Sequence, residues 1–268
     1  MRRRPETGRR TAAAALRIGL RAAVLGLALT ATGIAANGAE LPAPLNPYEA
    51  EYRVSRGPLT LGRSVTVLEP ATGGWEFRTT VTATGVARML VSEDAIERSL
   101  LSSDGEVLRT LRYEQHLPDE QPAIVDFDWN GQQAFVDNED GQTVVPLLVD
   151  AHDPHGAILS VMLVLARTGA VPDLTIMDDD GDLTRMTFRV RESQRMSVPF
   201  GEFEVIEVQR VREDRDRQLI AWFAPELDWL PIRIQQVDRG STVARMDLTK
   251  LNGESGSNAP ATPGRHLP

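Results

Sequence analysis

The chain contains no cysteine. That absence excludes disulfides, thiolate zinc sites, cysteine nucleophiles and lipid attachment through an N-terminal cysteine. Histidine is scarce, with four residues at 116, 152, 155 and 266, which leaves little room for imidazole chemistry. Lysine occurs once, at Lys250; every other basic residue is arginine, a skew that fits GC-rich codons and carries no functional weight. What remains is 268 residues, 41% hydrophobic and 25% charged. This is enough for one large domain or two small ones, and too balanced for a disordered chain.

The N-terminus reads as an export signal. Residues 1–21 hold seven arginines (2, 3, 4, 9, 10, 17 and 21) against one acid, Glu6. Ala22 to Ala36 then runs without a charge, followed by Gly38 and Ala39. A basic segment, an apolar segment and a small-residue exit predict a signal peptide over 1–36, cleaved after Ala36 or Ala39. The uncharged run is 15 residues, short of the ~20 needed to cross a bilayer. A retained anchor in the inner membrane is the rival reading. Arg9-Arg10 hints at twin-arginine export, but no bulky apolar pair follows at Thr11-Ala12-Ala13, so the general secretory route stays open beside it.

Removing 1–36 takes seven of the 29 basic and one of the 38 acidic residues, leaving 22 against 37 and a net charge of −15. A chain that acidic is a poor partner for nucleic acid, whose binding rests on neutralised phosphates. It is repelled by anionic lipid surfaces as well. The mature chain is therefore expected to be a soluble periplasmic or secreted protein with no membrane span.

Alternation dominates the body. Tyr48, Ala50, Tyr52 and Val54 alternate with charged residues, and Trp75, Phe77 and Val81 with charged or polar ones. The same holds for Val125, Phe127 and Trp129, for Met186, Phe188 and Val190, and for Ala244, Met246 and Leu248. Each such strand has a dry and a wet face, the mark of an antiparallel sheet covered on one side. Asn130-Gly131, Asp140-Gly141, Asp180-Gly181 and Arg239-Gly240 supply hairpin turns between them. The phase slips at Val205-Ile206, which predicts a β-bulge there. Leu219 to Phe223 is apolar on both faces, which predicts a central or doubly covered strand.

One segment breaks the pattern. Over 153–169, Asp153 suits a helix N-cap, Pro154 the first turn and Gly169 the stop. Between them the sequence is apolar all round apart from Ser160, so the helix is expected to be buried. About ten one-faced strands and one helix predict a mainly β fold: a strongly curved antiparallel sheet, or incomplete barrel, around the buried helix. The expected organisation is a signal peptide at 1–36, a single curved domain at 37–251 and a disordered tail at 252–268.

Several short stretches then point to a family. They are Leu45-Asn46-Pro47-Tyr48-Glu49-Ala50-Glu51-Tyr52, Glu97-Arg98-Ser99 ahead of Asp104-Gly105, and Pro199-Phe200-Gly201-Glu202-Phe203. Trp222-Phe223-Ala224-Pro225 follows, then Leu230-Pro231-Ile232-Arg233. In this order and spacing the chain resembles, over most of 45–251, the bacterial envelope family known as domain of unknown function 3108. The resemblance implies an exported, mainly antiparallel β domain and supplies no catalytic residue. Its outline is similar to periplasmic lipoprotein carriers, an analogy of shape.

Candidate sites are few. Asp178-Asp179-Asp180-Gly181-Asp182 suggests calcium, but a hand-type loop with Gly181 sixth would need a ligand at Ile176 and a bidentate acid at Thr187, and both residues are wrong for it. An acidic hairpin tip is the better reading. His152 and His155 flank Asp153 and suggest a surface metal pair, yet capping already accounts for Asp153, so no metal is assigned. Gly253-Glu254-Ser255-Gly256-Ser257 lacks a nucleophile elbow's second glycine in register. Acids that could form a hydrolase dyad fall mostly on wet faces, so no catalytic residue and no cofactor is expected. Met162, Leu165, Trp222, Phe223 and Trp229 are the candidates for lining a ligand groove, against a reading in which they are core.

The expected function is a non-catalytic binding or carrier module for an apolar or amphipathic envelope ligand such as a lipid. The alternative is a structural or assembly factor that contacts an envelope protein partner. A hydrolase ranks last.

Overall fold

The computed structural model describes residues 45–89, 93–103, 108–211 and 217–256. The expected signal at 1–36 and residues 257–268 of the expected tail lie outside them.

Two meanders make one sheet. The first runs β1 (Tyr48–Arg56), β2 (Leu59–Ala71), β3 (Gly74–Ala83), β4 (Ala95–Ser103), β5 (Leu108–His116), β6 (Ala123–Asp128), β7 (Gln133–Asn138) and β8 (Gly141–Pro146). A short helix, α1 (Gly85–Arg88), sits between β3 and β4. After β9 (Ala151–His152) and the long helix α2 (Pro154–Thr168), the second meander runs from β10 to β15. Its strands are β10 (Leu174–Met177), β11 (Leu183–Val198), β12 (Gly201–Val211), β13 (Arg217–Ala224), β14 (Leu230–Asp238) and β15 (Ser241–Leu251). Sequential neighbours pair antiparallel in both, as short turns dictate. The meanders join where β1 pairs β15, Tyr52 opposite Leu248 and Val54 opposite Met246. The strand order is thus β8 to β1, then β15 to β9.

The alternation puts one apolar set inside. Ala50, Tyr52, Phe77, Val125, Met186 and Leu248 are buried, while their sequence neighbours face outward. Register shifts at Glu51/Tyr52, Leu100/Leu101, Trp222/Phe223 and Gln236/Val237 bend the sheet, and a sheet of so many strands curls. The result is the curved, incomplete barrel that the pattern predicts. The irregularity expected at Val205-Ile206 lies instead in the partner strand: Val190 faces Val208 and Ser193 faces Ile206, so the extra residue belongs to β11. The β13 stretch is central in the sheet rather than doubly covered, and Leu219, Ile220 and Ala221 are half-buried.

The seam of the barrel falls between β8 and β9. There Val125, Phe127, Val136, Leu147, Ala151 and Met177 pack together. Asn138 Nδ2 also donates to the Asp179 carbonyl at 3.3 Å. Past β15, Asn252 exchanges hydrogen bonds with Glu49, and β16 (Glu254–Ser255) folds back on β15. The ordered sheet therefore continues beyond 251, because Asn252-Gly253 makes a hairpin turn.

Helix α2 fills the concavity. Asp153 accepts from the backbone N–H groups of His155 and Gly156, Pro154 opens the first turn and Gly169 ends the helix at φ 66°. Leu159, Val161, Met162 and Leu165 are buried against the sheet. Burial is not uniform around it, as all-round apolarity would suggest. Ile158, Leu163 and Val164 are half-buried and Ala166 is exposed, because the last turns emerge from the concavity.

Candidate functional site: an apolar cavity with a buried polar wall

The helix does not fill the barrel. Between its first turns and the sheet lies a cavity of about 190 Å³. One water needs ~10–15 Å³, so this is more than a packing defect. Register carries its wall around the sheet: Glu97 faces Thr79, Thr79 faces Thr66, Ser64 faces Tyr52, and Val54 faces Met246. Met246 faces Ile234, Ile234 faces Ala221, and Ala221 faces Val208. Phe188, Leu219 and Phe223 complete the apolar side, and Pro154, Ala157, Ile158 and Val161 of α2 close the roof. Phe188, Leu219, Ala221 and Ile234 point inward yet are only half-buried, since the space before them is unfilled.

Against this apolar lining stands a buried polar network built around the start of α2. Asp153 is fully buried and its carboxylate accepts four hydrogen bonds. Two come from the His155 and Gly156 backbone N–H groups, at 3.1 and 3.0 Å, and two from the hydroxyls of Ser99 and Thr110. The positive end of the helix dipole adds to this, so the carboxylate is held without a basic partner. Since Ser99 gives its proton to Asp153, its oxygen accepts from His155 Nδ1–H at 2.8 Å. With the ring neutral, His155 Nε2 accepts from the Thr79 hydroxyl at 3.0 Å. Gly156 permits this contact: a Cβ there would lie 2.7 Å from Asp153 Oδ1 and 2.9 Å from Thr110 Oγ1.

Glu97 completes the network. Its Oε1 accepts from the Tyr113 hydroxyl at 2.9 Å and from Gln115 Nε2 at 3.1 Å. Burial pushes its carboxyl up to about 7, with the nearby Asp179 and Asp153 charges adding to the rise and the two hydrogen bonds opposing it. Burial likewise holds the His155 imidazole down at about 4, against the pull of Asp153. Asp, Ser, His and Glu thus meet, but not as a nucleophilic triad. Asp153 bonds to the serine hydroxyl rather than to the histidine ring, so nothing withdraws the Ser99 proton toward the ring.

The residues proposed from the sequence separate. Phe223 lines the cavity. Met162, Leu165 and Trp222 are buried in the surrounding core, with Trp222 Nε1 donating to Glu207 at 3.2 Å, and Trp229 packs half-buried against that core. His152 and His155 do not form a surface pair; His155 is drawn into the network because the helix starts inside the barrel. The Asp178 carboxylate accepts from the Asp180 and Asp182 N–H groups, as a hairpin tip requires, and carboxylate oxygens of Asp178, Asp179 and Asp180 lie within 4.8 Å of one another.

Sequence reading missed Glu97, Ser99, Thr79 and Thr110. Glu97 and Ser99 share phase with Ala95 and Leu101, both buried, and that phase was the available signal. No local pattern connects them to His155.

Comparison with known proteins gives the family and supports the fold. A family model described as protein of unknown function (DUF3108) matches residues 48–249. The chain belongs to the DUF3108 family. No curated protein matches it. Among solved structures it is similar to the crystal structure of a β-barrel-like protein of domain of unknown function DUF1849 from Brucella abortus. That match has a TM-score of 0.52 at 14% identity, over 76% of this chain and 96% of that one. A protein of Parabacteroides distasonis provisionally described as a lipoprotein matches at a TM-score of 0.36 and 9% identity, over 77% of this chain and 95% of that one. For this DUF3108 member the first of these supports the barrel-like fold. No helix among the described residues is long and apolar enough to cross a membrane.

Proposed function

We propose that the protein is an exported, non-catalytic binding or carrier module that holds an apolar or amphipathic ligand of the cell envelope inside its barrel. The cavity carries this reading. A mostly apolar cavity with a few convergent polar groups is the usual form of a site for a small apolar or amphipathic molecule. The N-terminal segment supports export to the periplasm, with residues 1–36 removed. Native mass spectrometry of gently purified protein tests the proposal, together with uptake of a solvatochromic apolar dye. Bound lipid or dye is expected, and Ala221→Trp should abolish it by filling the cavity while the melting transition persists. Lipid-free protein that never brightens the dye would sink the proposal.

One observation favours a second reading, contact with a protein partner. β8 is an open sheet edge, and around it Phe135, Val144, Leu148 and Val149 are exposed, Val149 at 80%. Such an edge is a template for a partner's strand. Val144→Lys should weaken any co-purifying complex without changing dye uptake.

A further inference from the structure

The cavity has two unlike walls. On one side β11 to β14 contribute Phe188, Val208, Leu219, Ala221, Phe223 and Ile234. On the other, a polar strip crosses three strands to the helix: Ser64 and Thr66 on β2, Thr79 opposite Thr66, Glu97 opposite Thr79, and His155 bonded to Thr79. All of these line the cavity. Glu97 and His155 are held by Tyr113, Gln115 and Ser99. Ser64 is different. It is fully buried, and its hydroxyl has no hydrogen-bond partner within the protein. A buried hydroxyl left unpaired is costly, and it faces the cavity at the end of the strip.

Resting on the binding role proposed above, we infer that the ligand is a single-chain amphiphile with an uncharged, hydroxyl-bearing head, seated with its head on the Ser64–Thr79–Glu97 strip and its chain against the apolar wall. The chemistry of the strip selects that head. Ser64 can donate and accept. Thr79 spends its proton on His155 Nε2 and keeps its oxygen as an acceptor. No lysine or arginine belongs to the strip, and burial favours the neutral acid at Glu97, so a phosphate or carboxylate head finds no counter-charge there. Arg210, also buried and lining the cavity, sits on β12 beside the apolar wall rather than in the strip. An anionic head would go to it instead.

Competition for a bound apolar dye on the purified exported chain separates these cases. The competitors are monoolein, oleate and oleylamine, which share one chain and differ in head charge. Monoolein is expected to displace the dye at the lowest concentration. Ser64→Ala removes a buried hydroxyl that bonds to nothing in the protein, so its melting temperature should be no lower than that of the parent. Measured against its own affinity for the dye, the variant's affinity for monoolein should fall about three- to tenfold. Stronger competition by oleate that is lost in Arg210→Met would overturn the inference, as would stronger competition by oleylamine or a monoolein affinity indifferent to Ser64→Ala. In each of those results the dye still binds and the cavity role survives. A dye that never binds the parent protein overturns both.

Discussion

Glu97 Oε2 lies 3.6 Å from His155 Nε2, and both side chains are almost entirely withdrawn from water. Two titratable groups brought together in an apolar interior are both driven toward their neutral forms, the acid holding its proton and the imidazole refusing one. Their effects on stability therefore oppose each other. Glu97 titrates higher in the fold than its ordinary 4.5, so its contribution is complete below pH 4.5 and is lost as pH rises toward about 7. His155 titrates lower than its ordinary 6.5, so its contribution is complete above pH 6.5 and is lost as pH falls toward about 4.

Glu97→Gln separates the two. Without the acid, the stability of the variant should rise from pH 4 to 6.5 as His155 alone dictates, more steeply than in the parent, whose two terms offset each other there. The difference between the two curves should reach a few kcal/mol. Urea midpoints at pH 4.5, 5.5, 6.5 and 7.5 measure it, and parallel curves would show that the pair does not titrate as described.

Asp153 holds four donors, so Asp153→Ala removes a helix cap and strands the hydroxyls of Ser99 and Thr110 in the core. The expected loss is roughly 3–5 kcal/mol in chemical denaturation. Asp153→Asn keeps the shape and some of the acceptors and should lose less. An alanine variant as stable as the parent would contradict the network.

Gly156→Ala tests the same contact by steric means. The added methyl meets Asp153 Oδ1 and Thr110 Oγ1 inside ordinary contact distance, so a substitution that favours helices in general should here cost about 1–3 kcal/mol. A gain in melting temperature would mean that the first turn is free to move away from β5.

Leu165 and Leu163 lie two residues apart on α2 with different surroundings. Leu165 is 1% exposed and Leu163 is half-buried. Leu165→Asp should fail to accumulate as folded protein, since a carboxylate would be buried without a partner. Leu163→Asp should fold with a smaller loss, and Arg189→Asp on the exposed face of β11 should be nearly silent. Equal damage from both leucine variants would show the emerging turns of the helix to be packed.

Export can be read directly. N-terminal sequencing of the secreted or periplasmic form should begin at Asn37 or Glu40. A Met1 terminus in the membrane fraction would mean that the segment is kept as an anchor.

The frame of this fold was legible in its sequence because its cause is local. Period-two alternation from Tyr48 to Val54 sets which face of β1 is dry, and Asp153, Pro154 and Gly169 announce the helix within a few residues of its ends. The site was not legible, because it is assembled across distance. Ser99 meets His155 over 56 residues and Thr79 meets it over 76. Glu97 looks like any surface acid until the phase of Ala95 and Leu101 is given more weight than its charge. Trp222 and Trp229 drew attention as aromatics, yet it is the smaller Ala221 and Val208, with Phe223, that border empty space.

The seam between β8 and β9 lies at mid-chain because the first and last long strands are neighbours. The segment that bridges it, 147–153, is also the one that delivers α2 into the concavity. Shutting the wall and stoppering the interior are therefore one act of the chain. A protein built this way ties the closure of its wall to the seating of its helix, so a change within residues 147–153 is felt by both.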